Sequence, residues 1–109
     1  MNEKLTEKKC QVCEVGGAAL VEPDISILMK ELGASWEVHD EKMITKTFSF
    51  SDFKQTMVFV NKVANLAEDE GHHPEMCVSW GKVVIELFTH AVKGLSENDF
   101  ILAAKIDTL

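Results

Sequence analysis

Three of the four histidines in the chain lie between positions 72 and 90: the adjacent pair His72 and His73, and then His90. Pro74 follows the pair, and proline disfavours the helical conformation of the residue before it, so His73 is expected in an extended turn. An imidazole has an unperturbed pKa near neutral, so a cluster of imidazoles could transfer protons or bind a metal ion. The function is therefore to be sought at these histidines.

Three interpretations of the cluster compete. The histidines could be polar loop side chains without a chemical role. They could bind a metal together with Glu68 or Asp99, but adjacent histidines in an extended turn point apart and rarely bind one ion. They could act as general acids and bases, oriented by carboxylates, and each such proton transfer typically contributes about 10²–10⁴-fold to the rate. The residues alone put acid–base catalysis ahead of a metal site and level with the first interpretation.

Length, composition and net charge limit the classes of protein to which the chain can belong. The 109 residues suffice for about one domain, and 46% hydrophobic with 27% charged residues is typical of soluble globular proteins. The net charge of −7, with no basic patch, argues against nucleic-acid binding. No apolar stretch is long enough for a membrane span, and the N-terminus does not resemble a signal peptide. A cytoplasmic protein is therefore expected.

The cysteines are compatible with the same compartment. Cys10 and Cys13 have the spacing of half a zinc site or of a redox pair, while Cys77 is far downstream. No second Cys-x-x-Cys or His-x-x-x-His motif completes a zinc site, and the pair lies in a Lys-rich leader. Simple reduced thiols are favoured over metal or redox chemistry, in agreement with a reducing compartment.

The first half of the chain predicts an arm, a helix and a β-hairpin. Residues 1–20 lack periodicity and form the arm, and a domain follows at 21–109. A helix is expected from near Pro23 to Gly33, which acts as its C-terminal cap. Residues 35–39 and 43–50 are the expected strands, joined by a turn at 40–42. The apolar positions of the helix are Ile25, Leu28, Met29 and Leu32, and those of the second strand are Ile44, Phe48 and Phe50.

A long helix is expected next. Ser51 is the predicted N-cap, with Asp52 in the first turn, and Gly71 is the predicted stop in the left-handed conformation. Glu68 then lies in the last turn, and His72 and His73 lie just beyond it. The expected buried stripe contains Phe53, Met57, Val60, Ala64 and Ala67, widened by Phe59, Val63 and Leu66.

The remaining pattern predicts a second hairpin and a last helix. Strands are expected at 76–80 and 83–87 around a turn at Gly81-Lys82, and His90 follows the second strand. Residues 96–99 have the pattern of a capping box that opens the helix. The fold class is α+β: a four-stranded antiparallel sheet with helices packed on one face, in the order α-β-β-α-β-β-α. Such a fold permits the histidines and Asp99 to converge but does not require it.

The spacing of the candidate residues resembles the signature of the pterin-4a-carbinolamine dehydratases. The resemblance extends from about Leu20 to the C-terminus and includes the run from Gly94 to Phe100. Seven positions at fixed spacing carry it: Glu68, His72, His73, Pro74, Trp80, His90 and Asp99.

The resemblance implies a hydro-lyase. Its substrate would be a 4a-hydroxy-tetrahydropterin left by an aromatic amino-acid hydroxylase, and its product a quinonoid dihydropterin. No cofactor and no metal are implied, since the pterin is the substrate. The family commonly forms homodimers and homotetramers. Some animal members bind a homeodomain transcription factor, and some dehydratase-like domains act as scaffold or assembly proteins that lack the enzyme's residues.

The resemblance also implies roles for single residues. His72, His73 and His90 would be catalytic, with His72 and His90 transferring protons and His73 mainly binding the pterin. The substrate-binding set would further contain Glu68, Pro74, Thr89, Asp99 and Trp36. For Trp36, core packing is the more common use of a strand tryptophan and is the alternative. Asp99 would steer the region around His90, and its capping role is an equally good explanation. Gly71 departs from the family pattern, because animal members tend to carry an acidic residue there.

Overall fold

The computed structural model describes residues 4–11, 17–33 and 35–109. Within these ranges an antiparallel sheet and the helices follow the predicted order, so the α+β fold is confirmed. Short 3₁₀ turns at Leu5–Glu7 and His90–Val92 are additional. The α-helices are α1 (Asp24–Leu32), α2 (Phe53–Glu70) and α3 (Glu97–Ile106), and the strands are β1 (Glu37–His39), β2 (Met43–Ser49), β3 (Glu75–Ser79) and β4 (Lys82–Leu87).

The sheet has the order β1-β2-β4-β3, so the two hairpins meet at the central β2–β4 pair. Val83, Ile85 and Leu87 alternate along β4 and are completely buried on the face that the helices cover. Ile44 lies opposite Leu87 in the register and extends this buried row into β2. The core therefore fills the space between one face of the sheet and the helices.

The first helix forms as its apolar spacing predicts. Ile25 and Leu28 are buried, and Met29 and Leu32 pack against the core from its margin. Gly33 follows the helix with a φ of 88°, and its N–H donates to the carbonyl of Met29. A positive φ is easily adopted by glycine, which explains why the helix ends here.

The start of α2 differs from the prediction. Asp52, not Ser51, is the N-cap, since its carboxylate accepts the N–H of Gln55 at 2.8 Å. The Ser51 hydroxyl instead donates to the Gln55 side chain. Both residue types can cap a helix, so only the backbone position decides which one does.

The buried face of α2 is also rotated from the predicted stripe. Phe53 is half exposed, while Thr56, Phe59, Val63 and Ala67 are buried. Thr56 is fixed by hydrogen bonds from its hydroxyl to the carbonyls of Asp52 and Trp80. This attachment to the β3–β4 turn directs the helix face with Phe59 and Val63 toward the core.

The β3–β4 turn lies one residue earlier than predicted. Ser79 pairs with Lys82, so Trp80 and Gly81 form the turn, and Trp80 is largely exposed. A Cβ atom on Gly81 would lie 2.8 Å from the carbonyl oxygen of Phe50, so the close approach of the chain just after β2 requires glycine here.

The described part of the arm packs against the domain. Leu5 is buried in the same core as α3. Cys13 lies outside the described residues, so the Cys10–Cys13 predictions are not tested, and the boundary at residue 20 stays a prediction. None of the helices in the described ranges has the length and apolar content needed to cross a bilayer.

Replacing Asp52 with alanine should lower the free energy of unfolding by about 1 kcal/mol, because the N–H of Gln55 loses its partner. Urea unfolding followed by circular dichroism measures the change. The control is Ser51→Ala, which should cost less than about 0.5 kcal/mol, as exposed substitutions usually do. A larger loss for Ser51→Ala would contradict the capping assignment.

Candidate active site

The end of α2 places the histidine pair. Gly71 adopts the left-handed conformation with a φ of 69°, as predicted. The N–H groups of Gly71 and His72 both donate to the carbonyl of Ala67, which is a common way to end a helix. The chain then leaves the helix axis, and His72 and His73 lie between α2 and β3.

His72 forms a hydrogen bond with Asp99. The distance from His72 Nε2 to Asp99 Oδ1 is 2.6 Å, and the His72 side chain is only 12% exposed. The Asp99 side chain is completely buried. The end of α2 and the start of α3 therefore meet, which is the convergence that the sequence permits.

The second oxygen of Asp99 is also occupied. Asp99 Oδ2 accepts the Thr89 hydroxyl at 2.8 Å and the Ser96 N–H at 3.0 Å. Each oxygen of an ionised Asp99 carboxylate thus has a hydrogen-bond partner. An ionised carboxylate can only accept hydrogen bonds, so the proton of the bond with His72 lies on Nε2. Nδ1 of His72 is then the ring nitrogen with a lone pair.

Thr89 links this network to the third histidine. Thr89 is buried, and its N–H donates to the Gly94 carbonyl at 2.7 Å. Its hydroxyl also lies 2.7 Å from that of Ser96. Asp99 closes the capping box of α3, and through the Thr89 hydroxyl it is also hydrogen-bonded to the residue directly before His90.

His90 itself is exposed at the start of the 3₁₀ turn. Its ring lies edge-on to Phe88, with 4.5 Å between the ring centroids. The described contacts connect His90 to His72 indirectly. Thr89 precedes His90 in the chain, its hydroxyl donates to Asp99, and Asp99 is hydrogen-bonded to His72. The described contacts do not include a direct contact between the two imidazoles.

His73 faces solvent together with Glu68. His73 Nε2 is hydrogen-bonded to Glu68 Oε2, and both side chains are more than half exposed. Exposed ion pairs contribute about 0–1 kcal/mol, so this pair orients the imidazole more than it stabilises the fold. Pro74 is partly buried and leads into β3.

Trp36, the remaining residue of the predicted substrate-binding set, is a core side chain. It is 5% exposed, its Nε1 donates to Asp107 Oδ2 at 2.9 Å, and the Lys46 ammonium lies over its ring. Asp107 follows the C-terminal end of α3, whereas Asp99 is in its first turn, about 12 Å away along the axis at 1.5 Å per residue. The described contacts give Trp36 a core position and do not join it to the histidines.

The sequence did not single out Glu70, whose side chain is only 5% exposed. One oxygen accepts Lys105 Nζ at 2.7 Å and the other accepts the Cys10 N–H at 3.0 Å, while Lys9 Nζ lies at 3.6 Å. Burial alone would raise the pKa of Glu70, but the hydrogen bonds from Lys105 and Cys10 and the charges of the two lysines outweigh it and lower that pKa below its ordinary value of 4.5. The run of three acidic residues at 68–70 gave no sign of which one is buried.

Cys10 is a partly buried free thiol. Burial, together with the nearby charge of Glu70, raises its pKa to about 12. Its Sγ donates to the carbonyl of Asn98 at 3.6 Å. Nucleophilic attack and metal binding need the thiolate, so this environment agrees with a structural thiol. Among the side chains that the structure describes, no group of three His, Cys, Asp or Glu residues is arranged to hold a metal ion.

Comparison with known proteins decides the family. Residues 18–109 match the model of the pterin 4 alpha carbinolamine dehydratase family. The chain belongs to this family. A protein of Rickettsia bellii, provisionally named a pterin-4-alpha-carbinolamine dehydratase, is 47% identical over 105 residues, which cover 96% of this chain and 93% of the relative.

Two solved structures are similar to the fold. A transcriptional coactivator/pterin dehydratase from Brucella melitensis is 31% identical with a TM-score of 0.76, and the match covers 83% of this chain and 96% of that one. A pterin dehydratase-like protein, identified as a RuBisCO assembly factor in the alpha-carboxysome, is 28% identical with a TM-score of 0.59, over 71% of this chain and 90% of the other.

Glu70→Gln should remove a pH-dependent part of the stability. The folded-state pKa of Glu70 is lower than in the unfolded chain, so its contribution is complete above the ordinary pKa of 4.5 and is lost as the pH falls through the lower folded value. Urea unfolding at a series of acidic pH values should therefore give a flatter curve for the variant. An unchanged slope would contradict the assignment, and Glu68→Gln, on an exposed carboxylate, is the matched control.

Thr89→Val should destabilise the protein by about 1–3 kcal/mol, because a buried carboxylate oxygen of Asp99 loses a donor while the side-chain shape is kept. Thr89→Ser retains the hydroxyl and should restore that hydrogen bond. Chemical unfolding of both variants measures the difference. Equal stability of Thr89→Val and the unmodified protein would show that the hydroxyl does not support Asp99.

Proposed function

We propose that the protein dehydrates 4a-hydroxy-tetrahydropterins to quinonoid dihydropterins by metal-free acid–base catalysis. The hydrogen bond between His72 and the buried Asp99 carries the proposal, because it prepares one imidazole as a base in a protein of the dehydratase family. Loss of water from the substrate breaks the C4a–O bond and forms a double bond between C4a and the neighbouring ring nitrogen. The reaction thus needs one proton for the leaving hydroxyl and a base for the ring N–H.

His72 is suited to be the base. Its Nε2–H is directed to Asp99, which leaves the Nδ1 lone pair to accept the proton of the ring nitrogen. The imidazolium that forms is stabilised by the carboxylate, and Asp99 cannot turn away because Thr89 and Ser96 hold its other oxygen. A buried, fully hydrogen-bonded carboxylate needs little reorganisation during the reaction.

His90 is the proposed acid. It is exposed, so it can exchange protons with water, and its ring is held against Phe88. In its protonated form it would give a proton to the departing 4a-hydroxyl, which leaves as water. Because one imidazole gains a proton and the other loses one, the solvent restores both after each turnover.

His73 is the proposed binding residue. Its hydrogen bond with Glu68 fixes the ring orientation at the surface, and the polar ring of a pterin offers acceptors and donors to such a pair. The absence of a carboxylate at Gly71 leaves Glu68 as the hydrogen-bonded acid next to this histidine. This dehydration would recycle the pterin that an aromatic amino-acid hydroxylase uses. The protein would carry it out in the cytoplasm, as a homodimer or homotetramer.

His72→Ala and His90→Ala should each lower kcat by about 10²–10⁴-fold, toward the spontaneous rate, because each removes one proton transfer. The measurement generates the 4a-carbinolamine in situ with a hydroxylase and follows quinonoid product by stopped-flow absorbance. His39→Ala is the matched control, since this fourth histidine is bonded to Thr45 on the β1–β2 hairpin and should keep full activity.

Two outcomes would contradict the proposal. Unchanged rates in both His72→Ala and His90→Ala would reject catalysis by these residues and favour an assembly or scaffold role. Stoichiometric zinc in the purified protein, lost in His73→Ala together with activity, would reject the metal-free mechanism.

A further inference from the structure

The N-terminal arm touches the two chain segments that supply His72 and Asp99. Lys8 forms an ion pair with Glu97 at the start of α3, at 3.2 Å, and Leu5 is buried against the same helix. The arm therefore runs along the end of α3 that carries the candidate site. The next residues, Cys10 and Gln11, make the contacts that matter most.

Cys10 is tied to the end of α2. Its backbone N–H donates to Glu70 Oε1 at 3.0 Å, and Glu70 is the last residue of that helix, two positions before His72. Because Lys105 of α3 binds the other oxygen of Glu70, this carboxylate already joins the two helices. Burial opposes the charge of Glu70, but the hydrogen bonds from Lys105 and Cys10 and the lysine charges outweigh it, so the pKa is lowered and the ionised form is favoured.

Gln11 is tied to the start of α3. Its N–H donates to Asn98 Oδ1 at 2.8 Å, and Asn98 Nδ2 donates back to the Gln11 carbonyl at 2.5 Å. The side-chain amide of Asn98 thus bonds both the N–H and the carbonyl of Gln11, as the backbone of a neighbouring β-strand would. Asn98 is buried and directly precedes Asp99.

We propose that the contacts of Cys10 and Gln11 with Glu70 and Asn98, here called the arm clamp, position the His72–Asp99 pair for catalysis. Asn98 and Glu70 are then positioning residues that do not touch the pterin. The clamp joins the chain next to His72 to the chain next to Asp99, on either side of the 2.6 Å hydrogen bond. This inference rests on the proposed dehydration, and it adds a part of the chain outside the seven-residue signature.

A positioning role has a physical reason. Misplacement of a catalytic group by about 1 Å can cost about 10²-fold in rate. The pair spans two helix ends, and helix ends fray more readily than helix centres. A second connection between the same ends, made by a backbone dipeptide with three hydrogen bonds, limits their relative movement.

The sharpest test compares Gln11→Pro with Gln11→Ala in the full-length protein. Proline removes the N–H that binds Asn98 Oδ1, whereas alanine keeps it. Gln11→Pro should lower kcat by at least about tenfold with KM within about twofold, while Gln11→Ala should keep both. Asn98→Ala, which removes both hydrogen bonds to Gln11, should behave as Gln11→Pro does.

A spectroscopic readout makes the test independent of activity. The ¹⁵N chemical shifts of the His72 ring should show the Nε2–H tautomer in the unmodified protein and in Gln11→Ala. Gln11→Pro and Asn98→Ala should show a mixture with the Nδ1–H tautomer, because His72 is no longer held on Asp99. If the unmodified protein had no dehydratase activity, the proposed function would fail. These shifts would still show whether the arm clamp holds His72 on Asp99.

Thr56→Val distinguishes positioning from general stability. It removes a buried hydroxyl with two hydrogen bonds near the start of α2, at the opposite end from the site. It should lower the melting temperature as Asn98→Ala does and leave kcat and the His72 shifts unchanged. The inference is overturned if Thr56→Val loses activity as Asn98→Ala does, or if Gln11→Pro retains both kcat and a single tautomer.

Discussion

A single buried carboxylate organises the candidate site. An ionised group without solvent is costly unless it is paired and hydrogen-bonded, and Asp99 is completely buried. Its partners come from three places in the chain: His72 after α2, Thr89 after β4, and the N–H of Ser96 before α3. The fold must bring these three ends together to satisfy Asp99, and in doing so it assembles the site.

The same requirement explains why stability and chemistry are not separable here. The hydrogen bonds that compensate the burial of Asp99 also fix its direction, and that direction sets the tautomer of His72. Glu70 is a second case of the same kind, next to the site. The burial of its carboxylate is compensated by hydrogen bonds from Lys105 of α3 and from the Cys10 N–H of the arm. Two compensated carboxylates therefore hold the end of α2 against α3, one inside the candidate site and one beside it.

Much of the fold could be predicted because it depends on short patterns. The alternation along β4, the left-handed glycine after α2 and the capping box of α3 follow from local sequence, and all three are present. The errors occurred where two local solutions are nearly equal in free energy. Ser51 and Asp52 can both cap a helix, and the face of α2 is set by the tie of Thr56 to a distant turn. The hydrogen-bond partner of Trp36 also lies far along the chain, since its Nε1 donates to Asp107, 71 residues away.

The sequence by itself determined the elements, the family signature and the residue types available for proton transfer. Only the tertiary structure decided which groups are paired: His72 with Asp99, His73 with Glu68, and Glu70 with Lys105 and the arm. The physical reason is that residue spacing fixes where a side chain leaves the backbone, whereas burial and hydrogen-bond geometry depend on segments far apart in the chain. Of the three adjacent acidic residues at 68–70, packing alone selected the one that is buried.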